Sequence, residues 1–288
     1  MGVRKYYLLM HFIIFIWGFT AVLGALISLS PELITWYRLG LAVVFLYAWK
    51  KFKKINHPYT WSDFKHFIWN GILIGLHWWM FFSAIKWGNV SITLVTLSVS
   101  SLFVAFMEPF FFKRSIRWYE VLFGVLVIGG LYIIFQVNEV SWKAVMAALA
   151  AAFFGSLFSV NNGLLIKRYH PVDLSYYQLL SAFVLLSVII MIQGQAHEVF
   201  NITWKDLLWL LILSSVCTAY AFTASIEILR KINPFTLILS INLEPVYGII
   251  LALLILGDKE KMSPSFYVGA LFILLLVILN GIISVRRK

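Results

Sequence analysis

Apolar runs of about 20 residues recur along this chain from one end to the other, each long enough to cross a hydrocarbon core of roughly 30 Å as a helix. A soluble fold of 288 residues would need polar faces on its helices, and these runs leave none. Composition agrees: 62% of the residues are hydrophobic and 12% charged, with a mean hydropathy of +0.91, against about 25% charged in a soluble domain. The expected fold class is all-α integral membrane. Runs near 8–28, 33–49, 66–86, 90–111, 119–137, 143–165, 174–193, 205–228, 234–256 and 264–285 predict ten transmembrane helices in one membrane domain.

The net charge of +11 does not indicate nucleic acid, because the basic residues fall in short clusters between apolar runs and form no stripe along a face. They read as topology signals. With the N-terminus in the cytoplasm, 17 of the 23 Lys and Arg lie inside, among them Lys50, Lys51, Lys53, Lys54, Lys113, Arg114, Arg117, Lys167, Arg168, Arg230, Lys231, Arg287 and Lys288. Outside fall Lys86, Lys143, Lys205, Lys259 and Lys261, and Arg38 lies within a span. The positive-inside rule therefore predicts both termini in the cytoplasm. The first run follows Arg4 and Lys5 but is long and lacks a small-x-small cleavage site, so it reads as a retained span of a bacterial-type inner-membrane protein. The single Cys217 permits no intrachain disulfide and no thiolate metal cluster. No cofactor is expected.

The two halves can be laid over one another. Trp17-Gly18 falls on Phe154-Gly155, Pro31–Arg38 on Pro171–Gln178, Asn89 on Asn233, and Gly124 on Gly269. Five spans per half is an odd number, so the second half enters the membrane upside down, a transporter signature. Repeats over 1–138 (spans one to five) and 139–288 (spans six to ten) are expected. In this frame Ile16-Trp17-Gly18, Trp36-Tyr37-Arg38, Ala84-Ile85-Lys86-Trp87, Asn242–Tyr247 and Leu256-Gly257-Asp258 together resemble the EamA-type carriers of the drug/metabolite transporter superfamily. The resemblance implies two inverted five-helix repeats around a central cavity, lined by spans one to four and six to nine, with spans five and ten peripheral. It also implies transport of amino acids, other metabolites or drugs, often outward. The first half departs from the pattern: Ser100-Ser101 stands at the position that matches Glu244-Pro245.

Ionisable residues inside a span cost several kcal/mol, roughly 2.5–3.5 for Arg or Asp at the centre, and so need a partner, a cavity or a role. Glu244 lies near the middle of span nine before Pro245, whose missing N–H frees a carbonyl near Ile241. Acid and kink together suggest a substrate site, a proton-coupling group and a hinge; a hydrogen-bonded protonated acid is the plainer account. Arg38 either snorkels to the headgroups or faces the cavity, where it would pair with Glu244 or hold a carboxylate or phosphate bidentately. His77 beside Trp78 reads as a buried neutral ring or a cavity group. Trp17, Trp78, Tyr220 and Tyr247 lie well inside spans, where aromatics pack or line a pocket. Asn161, Asn162 and Asn242 offer interhelical hydrogen bonds or cavity lining.

A secondary carrier working by alternating access is the leading functional expectation, with a small-molecule substrate, the lipid bilayer and protons as its candidate partners. Oligomeric state is not encoded in any pattern found. No Walker A pattern occurs, so energy comes from a gradient. An intramembrane enzyme would need His-Glu-x-x-His or Gly-x-Ser-x-Gly, and neither occurs. A lipid flippase shares the architecture and could use Arg38 on a phosphate headgroup.

Overall fold

Capping residues and prolines set where the helices begin. Ser30 accepts from the Leu33 N–H ahead of Pro31 to start α2 (Pro31–Phe52), and Thr60 with Asp63 forms a capping box at α3 (Trp61–Trp87). Asn89, Ser141 and Thr203 cap α4 (Val90–Leu97), α7 (Trp142–Leu165) and α9 (Trp204–Ser214) in the same way. The rest are α1 (Val3–Leu26), α5 (Ser100–Phe112), α6 (Trp118–Gln136), α8 (Pro171–Ile192), α10 (Ala221–Ile228), α11 (Pro234–Ile241), α12 (Glu244–Leu256) and α13 (Pro264–Arg286). A single π-helical turn, Ser215–Tyr220, joins α9 to α10.

This computed structural model describes residues 3–113, 115–116, 118–136, 141–232, 234–241 and 243–286. Arg114, Arg117, Asn233, Asn242, Arg287, Lys288 and the expected repeat boundary at 138/139 lie outside the described residues. Among the described residues there is no strand.

Among the described residues, six helical segments are long and apolar enough to cross a membrane: Lys5–Leu26, Trp61–Trp87, Val90–Phe112, Trp142–Leu165, Pro171–Ile192 and Trp204–Ile228. Two of the other expected spans fall short of that standard for identifiable reasons. Charged Glu32, Arg38, Lys50 and Lys51 interrupt α2, and α11 and α12 are separate short helices. Large apolar side chains such as Phe110 and Leu254 stand 82% and 77% exposed, which suits lipid and would be costly in water.

Packing pairs the two halves. α3 lies along α7 and α8, α2 along α8, and α4 and α5 against α7. Exchanging the halves returns matching contacts: α9 and α10 lie against α1, α9 against α2, and α11 and α12 against α1. α6 and α13 pack on one another.

α3 approaches α8 closely at Gly71. A β-carbon on Gly71 would sit 2.4 Å from the Gln178 carbonyl oxygen and 2.6 Å from Ser181 Cβ, with no flexible side-chain end to give way. Gly71→Val is expected to lower the thermal unfolding midpoint in detergent, by overpacking worth about 1–3 kcal/mol. Gly129→Ala, at a site with nothing within 4 Å of the added atom, is the control and should leave the midpoint in place.

Candidate functional site

Arg38 sits on the inner face of α2 and is 2% exposed, so it does not snorkel. Its guanidinium carbon lies 3.8 Å from the centroid of Trp78, and its Nε donates to Thr218 Oγ1 at 2.7 Å. Thr218 belongs to the π-helical turn and donates its own proton to the Leu213 carbonyl at 2.6 Å. The same wide turn leaves the Cys217 carbonyl to accept from Trp17 Nε1 at 3.2 Å. A π turn is tolerated here because side chains satisfy the backbone groups it releases. The stack on Trp78 and the Thr218 bond fix the plane of the guanidinium, while its two terminal nitrogens make no hydrogen bond among the described residues.

Glu244 is 9% exposed and opens α12, with Pro245 beside it in the first turn. In place of one continuous helix, α11 is described to Ile241, Leu243 lies in a turn and α12 begins at Glu244. Proline in a first turn gives up no helical hydrogen bond, and the N-terminal dipole favours the acid. The first half has a matching interruption between α4 and α5, at Ser98 and Val99. There the Ser100 and Ser101 hydroxyls donate to the Leu97 and Ser98 carbonyls at 2.6 and 3.0 Å. Both interruptions border the same cavity.

That cavity, of about 100 Å3, brings Arg38, Glu244, Pro245, His77, Trp17 and Trp78 together. Its wall draws on α1 to α5, α7 and α10 to α12, and on nothing from α6, α8 or α13 among the described residues. Span seven is thus absent from a wall in which the resemblance implied it. Arg38 and Glu244 share the cavity without an ion pair: within 4.0 Å neither meets an opposite charge among the described residues. His77 Nδ1 faces the Ala151 carbonyl at 2.7 Å. A carbonyl only accepts, so Nδ1 carries the proton and Nε2 of the neutral ring is an acceptor.

Two expected residues lie elsewhere. Tyr220 is 48% exposed on the outer surface, because the extra residue in the π turn rotates it off the inner face. Tyr247 packs edge-on against Phe15 at 5.6 Å and is not on the wall. Asn242 lies outside the described residues. Thr218 escaped the sequence reading, since an isolated threonine in an apolar run carries no signal of a guanidinium partner. Asn162, for which cavity lining stood as one alternative, is on the wall with the small hydroxyls of Thr20, Ser98 and Ser225.

Three further buried acids, Asp173, Asp206 and Glu260, belong to the ends of the bundle. Asp173 holds Lys50, His57 at 2.6 Å and Tyr59 at 2.8 Å. Tyr169 beside this cluster is pushed up to about 12 by burial and by its hydrogen bond to Asp63, and burial lowers His170. At the opposite end Asp206 accepts from Ser28 and Thr203, Lys86 donates to the Ile27 carbonyl, and Glu260 caps α4 through the Val90 and Ser91 N–H groups. Glu227, part-exposed, pairs with Arg230 one turn on at 3.3 Å.

The sequence profile of the EamA-like transporter family matches the chain twice, over residues 4–136 and 142–282. A solved structure described as "Crystal structure of protein" superposes with a TM-score of 0.72 at 16% identity, covering 99% of this chain and 99% of that one. At that identity the likeness speaks for the fold. No curated protein matches the chain.

Proposed function

Since this chain belongs to the EamA-like transporter family, and so is a multi-pass membrane transporter and not a member of an enzyme family, we propose that it is a secondary carrier of small organic metabolites. Amino acids or drug-like compounds are moved outward by alternating access. The observation that carries this reading is the cavity at the two helix interruptions, where Arg38 and Glu244 both face in without partnering one another. Carriers place substrate at broken helices near the midplane, between repeats that rock against each other. Pro245 marks the hinge, and Glu244 is the group that couples protons.

The contact pattern supports ten crossings in two inverted repeats over 1–138 and 139–288. Lys50 with Asp173, and Lys167 over the Phe112 ring, gather one set of helix ends. Lys143 over the Trp87 ring, and Glu260 on Val90, gather the other. The first end carries most of the basic residues, which supports its placement in the cytoplasm of a bacterial-type inner membrane with both termini inside.

The test is flux in proteoliposomes, screening labelled amino acids and small organic acids and amines with and without an imposed pH gradient. Saturable flux of at least one class is expected. Folded protein that moves none of them would overturn the reading.

A further inference from the structure

Three side-chain amides behind the cavity wall fix one another's orientation. Asn70 on α3 places Nδ2 at 3.3 Å from the Phe158 carbonyl oxygen and 2.8 Å from Asn162 Oδ1 on α7. Gln178 on α8 places Nε2 2.8 Å from the same Asn162 oxygen. Amide oxygen and nitrogen are told apart by their partners, and any one of these groups could be reversed if its partners were reversed with it. The Phe158 carbonyl breaks that symmetry. It can only accept, so the Asn70 atom facing it is the NH2 group. That NH2 also reaches Asn162, whose atom there must be the oxygen, and this oxygen in turn requires the NH2 of Gln178. The chain of assignments ends at the cavity: Asn162 is 1% exposed, stands on the wall, and its own NH2 makes no hydrogen bond among the described residues.

We propose that Asn162 is a specificity-determining residue that offers the cavity N–H donors only, selecting substrates that carry a carbonyl or carboxylate oxygen over those that would place an ammonium or N–H group there. This rests on the cavity being the substrate site. A neutral asparagine free to rotate would accept either kind of group, whereas here rotation would break the two hydrogen bonds that Asn162 Oδ1 accepts from Asn70 and Gln178 in a buried interior. Arg38 adds a second donor to the wall and so biases it the same way.

Asn162→Asp is the discriminating variant. One carboxylate oxygen still accepts from Asn70 and Gln178, so the packing is kept, but the atom shown to the cavity becomes an acceptor. Binding of benzoate and of benzylamine to the purified full chain is measured by titration calorimetry. Wild type should prefer benzoate, and the variant should weaken benzoate about tenfold or more while strengthening benzylamine, reversing the order. Asn162→Ser, whose hydroxyl both donates and accepts, should bring the two affinities together and serves if the aspartate variant does not fold. Equal changes for both probes in either variant would overturn the proposal and leave the cavity as the substrate site. Wild-type protein that fails to bind benzoate, or binds it unchanged by Arg38→Gln, would overturn both.

Discussion

Glu244→Gln is expected to lower saturable flux by about tenfold or more and to abolish any acceleration by an imposed pH gradient. The substitution keeps the volume of the side chain and its place in the first turn of α12, so helix and cavity should survive it. What it removes is the ability to carry a charge. No hydrogen bond to the Glu244 carboxyl is found among the described residues, hence the lost contact is one made with substrate or proton. Hydrogen bonds to charged groups are worth about 1.5–3 kcal/mol, and each 1.36 kcal/mol is about a factor of ten in rate. Glu227→Gln supplies the control, because that acid faces Arg230 with both side chains more than a third exposed, and such pairs contribute little. Unchanged flux in Glu244→Gln would demote the residue to a structural acid.

How far this site could be read from sequence depends on what distinguishes an inward from an outward face. In water a helix announces its buried side by apolar periodicity, but lipid is as apolar as a core, and helices such as α6 and α13 are apolar all round. Rare residue types were therefore the usable signal. Arg38, His77 and Glu244 stood out by their cost in a span, and all three lie on the cavity. Aromatic residues carry no such cost, so Trp17 and Trp78 were found alongside Tyr220 and Tyr247, which are not on the wall. Tyr220 shows a second limit: one added residue in the π turn changes the phase of everything after it within that turn, and no local pattern in Ser215–Tyr220 foretells it. Although α3 begins at Trp61, five residues before the expected 66, the helix starts at α2 and α4, expected from 33 and 90, were legible to within two residues. The amide triad was not, because Asn70, Asn162 and Gln178 are distant in sequence and meet only through the packing of α3, α7 and α8.

Arg38→Lys separates charge from geometry at the other end of the site. Lysine keeps a cation in the cavity but loses the planar fork, the Nε donor to Thr218 and the flat stack on Trp78. A desolvated cation on an indole is worth about 2 kcal/mol and a charged hydrogen bond about 1.5–3 kcal/mol, so lysine should forfeit the bond to Thr218 while keeping part of the attraction to the Trp78 face. Benzoate affinity is then expected to fall about tenfold or more, with a smaller drop in unfolding midpoint than Arg38→Gln, which leaves the Trp78 face without any cation. Thr218→Val should reproduce part of the loss, since it removes the oxygen that orients the guanidinium while the Leu213 carbonyl loses its donor. If Thr218 acts through Arg38, the double variant Thr218→Val with Arg38→Lys should weaken benzoate no further than Arg38→Lys alone, a coupling that two independent sites would not show. Additive losses would place the two residues in separate roles. A lysine variant that binds benzoate like wild type would mean that position 38 supplies only a point charge, and that the stack on Trp78 serves the fold and not the substrate.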